Sequence, residues 1–101
     1  MTVRMILFST VDAEREREFE AAFSKVRERV ATMPGHIRDE LLRLEDTAGS
    51  YVLISEWEKR EQFTAWLESP AHDSMTAEMR PFFLRPSEMR FYSLRVPSPR
   101  G

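Results

Sequence analysis

Cysteine is absent from this chain of 101 residues. That removes thiolate catalysis, disulfide staples, Cys-based zinc sites and iron–sulfur clusters together. Glycine is scarce, occurring only as Gly35, Gly49 and Gly101. Isolated glycines at these positions cannot build the backbone cradle of a P-loop or of a Rossmann dinucleotide turn. No apolar run approaches the roughly 20 residues that a bilayer-spanning helix needs, so no membrane association is expected. Charge of one sign is lacking too: 15 basic residues face 17 acidic ones, for a net charge of −2. Nucleic-acid binding requires a stripe of Lys and Arg over the phosphates, and without one no nucleic acid is expected as a partner. The stretch Met1 to Phe8 has too short an apolar run and no small-residue cleavage site for a signal peptide, which makes a cytoplasmic protein the expectation.

What is present suits one small folded domain. Apolar residues make up 42% and charged residues 32% of the chain, the composition of a globular protein. A chain of this size has surface to bury for one core, expected over residues 1–96, with a flexible tail over 97–101. From Val3 to Val11 the pattern alternates: Val3, Met5, Leu7 and Val11 fall on one face, Ile6 and Phe8 on the other. Apolar residues on both faces predict a strand central in its sheet. Asp12 offers an N-cap, and Glu14, Glu16 and Glu18 suit the positive end of a helix dipole. Phe19, Ala22, Phe23, Val26, Val30 and Met33 then recur at helical spacing until Pro34-Gly35 stops the run.

A second strand is predicted from His36 to Glu45 and a third from Ser50 to Glu58, joined by the polar turn Asp46-Thr47-Ala48-Gly49. Helical spacing returns at Arg60, with Phe63, Trp66 and Leu67 on one stripe. Ser69-Pro70 interrupts it and is placed to cap a second short helix running to about Arg80. A last strand is predicted from Glu88 to Val96. The order β-α-β-β-α-β, with its second helix split in two, is that of an α+β ferredoxin-like fold with an antiparallel sheet. Helices cover one face of such a sheet, so the apolar row on the other face predicts a homodimer paired through the open sheet face.

The inventory of reactive groups is small. The two histidines, His36 and His72, lie on different elements, with no His-x-Glu or His-Glu-x-x-His pattern to hold a metal. No serine stands in a Gly-x-Ser-x-Gly elbow. His36 reads as an exposed strand end. Phe63, Trp66, Leu67, Met75, Met79, Phe82 and Phe83 form an aromatic and methionine cluster along the split helix. Residues at that spacing serve a core or line a slot for a flat apolar ligand. Trp57 shares a strand face with Leu53 and Tyr51 and is open to the same two readings. His72 follows Ser69 at the start of the short helix, where the dipole favours the neutral ring and Asp73 favours the charged one.

Several stretches resemble one family in order and spacing. They are Met33-Pro34-Gly35-His36, Glu40-Leu41-Leu42-Arg43, Tyr51 through Trp57-Glu58, Phe63-Thr64-Ala65-Trp66-Leu67 and Ser69-Pro70-Ala71-His72. Together they are similar to the antibiotic biosynthesis monooxygenase domains, which are dimeric α+β barrels. One branch of that family oxidises phenolic polyketide intermediates to quinones without metal, flavin or haem; the deprotonated substrate itself passes an electron to O₂. The resemblance therefore implies a monooxygenase without a cofactor, acting on a small aromatic or polyketide-like ligand. Catalytic roles are expected for His72, Trp66 and Trp57, and substrate contacts for Phe63, Met75, Met79 and Phe83. In that branch an Asn accompanies the third-strand Trp, and Leu53 holds its position here. A second branch degrades haem, which makes haem the alternative cofactor, with His72 as its iron ligand. Its helix Trp matches Trp66, and the position of its first-strand Asn is held by Leu7 or an apolar neighbour. A non-oxidative cyclase or isomerase, or a non-catalytic ligand-binding dimer, would use the same pocket.

Overall fold

The computed structural model describes residues 2–99. Met1, and residues 100 and 101 of the expected tail, lie outside them. The elements run β1 (Val3–Thr10), a 3₁₀ turn (Ala13–Arg15), α1 (Glu16–Val30), β2 (His36–Arg43), β3 (Ser50–Trp57), α2 (Arg60–Leu67), α3 (Ala71–Met75), a second 3₁₀ turn (Arg80–Phe82) and β4 (Glu88–Ser93). The strands form one antiparallel sheet in the order β2-β3-β1-β4. This is the α+β ferredoxin-like arrangement, with β1 central as its two-sided apolar pattern requires.

Capping explains where α1 starts. Asp12 Oδ1 accepts the Glu14 backbone N–H at 3.0 Å, so the first turn closes as 3₁₀ and α1 proper begins three residues later than the acidic run suggests. The helix then buries Phe19, Ala22, Phe23, Val26 and Val30 on the sheet. Gly49 ends the β2–β3 turn at φ +81, and a Cβ there would lie 2.5 Å from the Val11 carbonyl oxygen. Only glycine satisfies both conditions. β4 stops at Ser93 rather than at Val96, because Ser93 pairs with Val3, the first residue of β1; beyond the Leu94 N–H to Thr2 carbonyl bond the partner strand has run out.

Cross-strand register sorts the sheet into two faces. Toward the helices point Val3, Met5, Leu7 and Ser9 of β1 with Trp57, Ser55, Leu53 and Tyr51 of β3. The core gathers there, around the fully buried Trp57, Phe19, Phe63 and Val11. The open face carries Ile6, Phe8, Val52, Ile54, Leu42 and Tyr92, of which Phe8, Leu42 and Tyr92 are 38–48% exposed. Glu56 is buried among these residues. Its carboxylate accepts from Thr2 Oγ1 at 2.7 Å and pairs with Arg38 at 3.2 Å.

Candidate active site

Between the helical layer and the inner sheet face lies a cavity of about 300 Å³. The sheet contributes Met5, Leu7, Leu53 and Ser55 to its walls, and α1 contributes Phe23, Val26 and Val30. The opposite wall comes from the split helix and the loop after it: Phe63, Trp66, Leu67, His72, Met79 and Phe83. The expected cluster is thus both core and slot. Phe63 and Met79 are buried, while Trp66, His72 and Phe83 are partly open to the cavity. Its volume is at the floor of the roughly 300–1,000 Å³ usual for small-molecule sites.

The segment forming that wall is tied down by hydroxyl groups. Ser69 Oγ donates to the Trp66 carbonyl at 2.7 Å, so Ser69 closes α2 instead of capping α3, contrary to the sequence reading. Thr76 Oγ1 likewise donates to the His72 carbonyl at 2.8 Å, and α3 ends at Met75 rather than continuing to Arg80. Arg29 of α1 grips Glu78 in a bidentate pair and donates to the Met75 carbonyl at 3.1 Å. The Arg29 guanidinium pulls the Glu78 carboxyl down to about 2.

His72 lies on the cavity wall with its ring edge-on to Trp66, centroids 4.7 Å apart. Burial lowers its pKa below the usual histidine value, against the opposing pull of Asp73, whose carboxylate lies 3.7 Å from Nδ1. The ring is therefore neutral at neutral pH and able to accept a proton. Trp66 stacks at 27° on Trp57, with centroids 5.8 Å apart, and its indole N–H points to Met75 Sδ at 3.4 Å. Met75 thus holds Trp66 and does not itself reach the cavity wall. Trp57 does not reach it either. It is 0% exposed, packed against Phe63 and His36, and donates its indole N–H to Ser55 Oγ at 2.8 Å.

His36 corrects the sequence reading. Its side chain is buried, not exposed at a strand end, because the register slips between His36 and Arg38 and Ile37 is bulged out. The bulge turns His36 and Asp39 to the same face, opposite Trp57 and Ser55. His36 Nε2 then stands 3.1 Å from Asp39 Oδ2, within ion-pair reach but off the line of a full hydrogen bond. Asp39 lines the cavity. Period-two alternation sends residues three apart to opposite faces, which is why neither side chain was legible as part of a site.

Among the described residues no three His, Asp or Glu side chains converge as metal ligands. His72, the residue that would ligate a haem iron, has its ring packed edge-on against Trp66. Nor, among the described residues, is any helix long and apolar enough to cross a membrane.

Comparison with known proteins agrees with the geometry. A sequence model described as antibiotic biosynthesis monooxygenase matches residues 1–78. Protein SchA from Streptomyces halstedii is 31% identical over 93 residues, covering 92% of this chain and 24% of SchA. The 42.8 kDa protein in the whiE locus of Streptomyces coelicolor is 37% identical over 70 residues, covering 69% of this chain and 18% of that protein. The chain therefore spans about a quarter or less of these curated relatives' length. Among solved structures, SnoaB, a cofactor-independent oxygenase from Streptomyces nogalater, matches with TM-score 0.81 and 28% identity over 97% of both chains. Rv0793 from Mycobacterium tuberculosis, 15% identical, shares the fold with TM-score 0.77, covering 97% of this chain and 99% of that one.

Proposed function

Because the chain belongs to the antibiotic biosynthesis monooxygenase family, we propose that it is a cofactor-independent oxygenase acting on a flat aromatic, polyketide-like substrate. The observation that carries this reading is the cavity itself, an apolar slot walled by Phe63, Trp66, Met79 and Phe83 with a neutral His72 on its rim. The likeness to SnoaB along nearly the whole chain supports the absence of a cofactor from the chemistry. A phenol reacting with O₂ to give a quinone and water balances without an external reductant, because the substrate supplies the electrons. What the protein must add is a flat dry site, a proton acceptor and shielding of the radical pair.

In this reading His72 takes the substrate proton, and Trp66, Phe63 and Phe83 clamp the ring system. Met79 fills the slot beneath it. Trp57 acts from behind, holding the plane of Trp66, and Met75 holds the Trp66 indole N–H. The functional unit is a single domain over residues 1–96, cytoplasmic, that pairs as a homodimer through Ile6, Phe8, Val52, Ile54 and Leu42 on the open face. Turnover of polycyclic phenols with and without oxygen tests the reading. Product should form only in air, and His72→Ala should slow it at least tenfold. Equal turnover without oxygen would replace the oxygenase with a cyclase or isomerase.

A further inference from the structure

Packing gives no reason for a carboxylate in the wall of an apolar cavity. The Asp39 side chain is 6% exposed and His36, its neighbour on the same face, 4%. One carboxylate oxygen, Oδ2, lies 3.1 Å from His36 Nε2. The other, Oδ1, is buried and has no hydrogen-bond partner among the described residues. Ser55, directly across the strand pair, accepts the indole N–H of Trp57 and makes no hydrogen bond to Oδ1. A buried carboxylate oxygen without a donor destabilises a fold unless something entering the cavity donates to it. The bulge at Ile37 adds to this, since it sets the pair on the inner face at the expense of a regular ladder.

We propose that Asp39 is the polar anchor of the cavity, its carboxylate turning to accept a hydrogen bond from a ring hydroxyl of the bound aromatic. His36 is the positioning residue, its ring packed beside the carboxylate with Nε2 3.1 Å from Oδ2. The assignment rests on reading the cavity as an aromatic-substrate site, and it adds selectivity to that reading. The ligand must carry a hydroxyl on the edge facing β2, and a ligand presenting a carboxylate there is repelled. Around Asp39 the sheet wall is otherwise Met5, Leu7 and Leu53, with Ser55 the one other polar side chain it contributes. His72 stands on the helical wall with Asp73, Thr76 and Arg80, so the two sides of the slot present different polar groups.

The test uses 1-naphthol and 1-methoxynaphthalene, the second unable to donate. Dissociation constants come from NMR titration, with the Trp66 indole N–H signal as local reporter. The wild type should bind 1-naphthol at least tenfold more tightly, the scale of a hydrogen bond to a charged group. Asp39→Ala should bring the ratio within twofold by weakening 1-naphthol alone. Asp39→Asn, which keeps an acceptor but no charge, should fall between, and His36→Ala should lower the ratio without changing 1-methoxynaphthalene binding. Equal affinities in the wild type, or a ratio that survives in folded Asp39→Ala, would overturn the Asp39 assignment and leave the aromatic site standing. Failure of both probes to move the Trp66 signal would overturn the two together. Where Asp39→Ala does not fold, Asp39→Asn and His72→Ala decide: the ratio should narrow in the first and persist in the second, and a ratio lost only in His72→Ala would overturn the Asp39 assignment.

Discussion

Trp57→Phe separates chemistry from support at the residue most deeply placed under the site. The indole is wholly buried, stacks on Trp66 and donates to Ser55 Oγ at 2.8 Å. A phenyl ring keeps the edge contacts to Phe63 and His36 but loses that hydrogen bond, at about 1–1.5 kcal/mol. It also leaves a void where the larger ring stood, worth about another 1.5 kcal/mol. The sum, about 3 kcal/mol, is a large part of the roughly 5–15 kcal/mol that holds a small domain together. For about 100 residues each kcal/mol moves Tm by roughly 4–8 °C, so melting should fall by about 12–24 °C. Calorimetry measures the fall, and 1-naphthol binding at a temperature where both proteins are folded measures the site. Because Trp57 does not touch the cavity, affinity should stay within threefold. A melting temperature lowered by less than about 4 °C together with lost binding would refute this support role, since each kcal/mol is worth at least that much.

Three further outcomes follow from the same geometry. Glu78, held near 2 by Arg29, contributes stability that is complete above the unfolded carboxyl value of 4.5 and is lost as pH falls through about 2. Melting curves between pH 5 and pH 2 should therefore drop less steeply in Glu78→Gln than in the wild type, and identical slopes would contradict the clamp. His72 has a pKa below 6.5 because it is buried, so the unfolded chain takes up a proton that the folded one resists as pH falls through 6.5. The fold should lose stability there, and kcat/KM should fall on an acid limb centred below 6.5 that is missing from His72→Gln. On the open face, sedimentation should show a dimer whose self-association weakens at least tenfold in Phe8→Arg; a monomeric wild type would contradict the pairing.

Much of the architecture was legible because burial leaves a period in the sequence. The two apolar faces of Val3 to Val11 marked β1 as central, and the spacing from Phe19 to Val30 marked α1. The aromatic and methionine cluster was visible in the same way, although spacing cannot tell core from cavity; Phe63 and Met79 are buried while Trp66 stands open to the slot. What escaped notice depends on local irregularity. Hydroxyls that bond back to carbonyls, at Ser69 and Thr76, cut the helices short where the apolar spacing continues. The bulge at Ile37 reverses the face of every β2 residue relative to His36, so a buried His–Asp pair lay hidden behind ordinary alternation.

The central claim is that this domain spends molecular oxygen on an aromatic substrate using only its own side chains. The direct measurement is oxygen uptake against substrate loss for metal-free protein with a polycyclic phenol. One O₂ consumed per phenol converted to quinone, with no reductant added and no peroxide released, is the predicted result. Substrate loss without oxygen uptake, or uptake only when a reductant or haem is supplied, would contradict it.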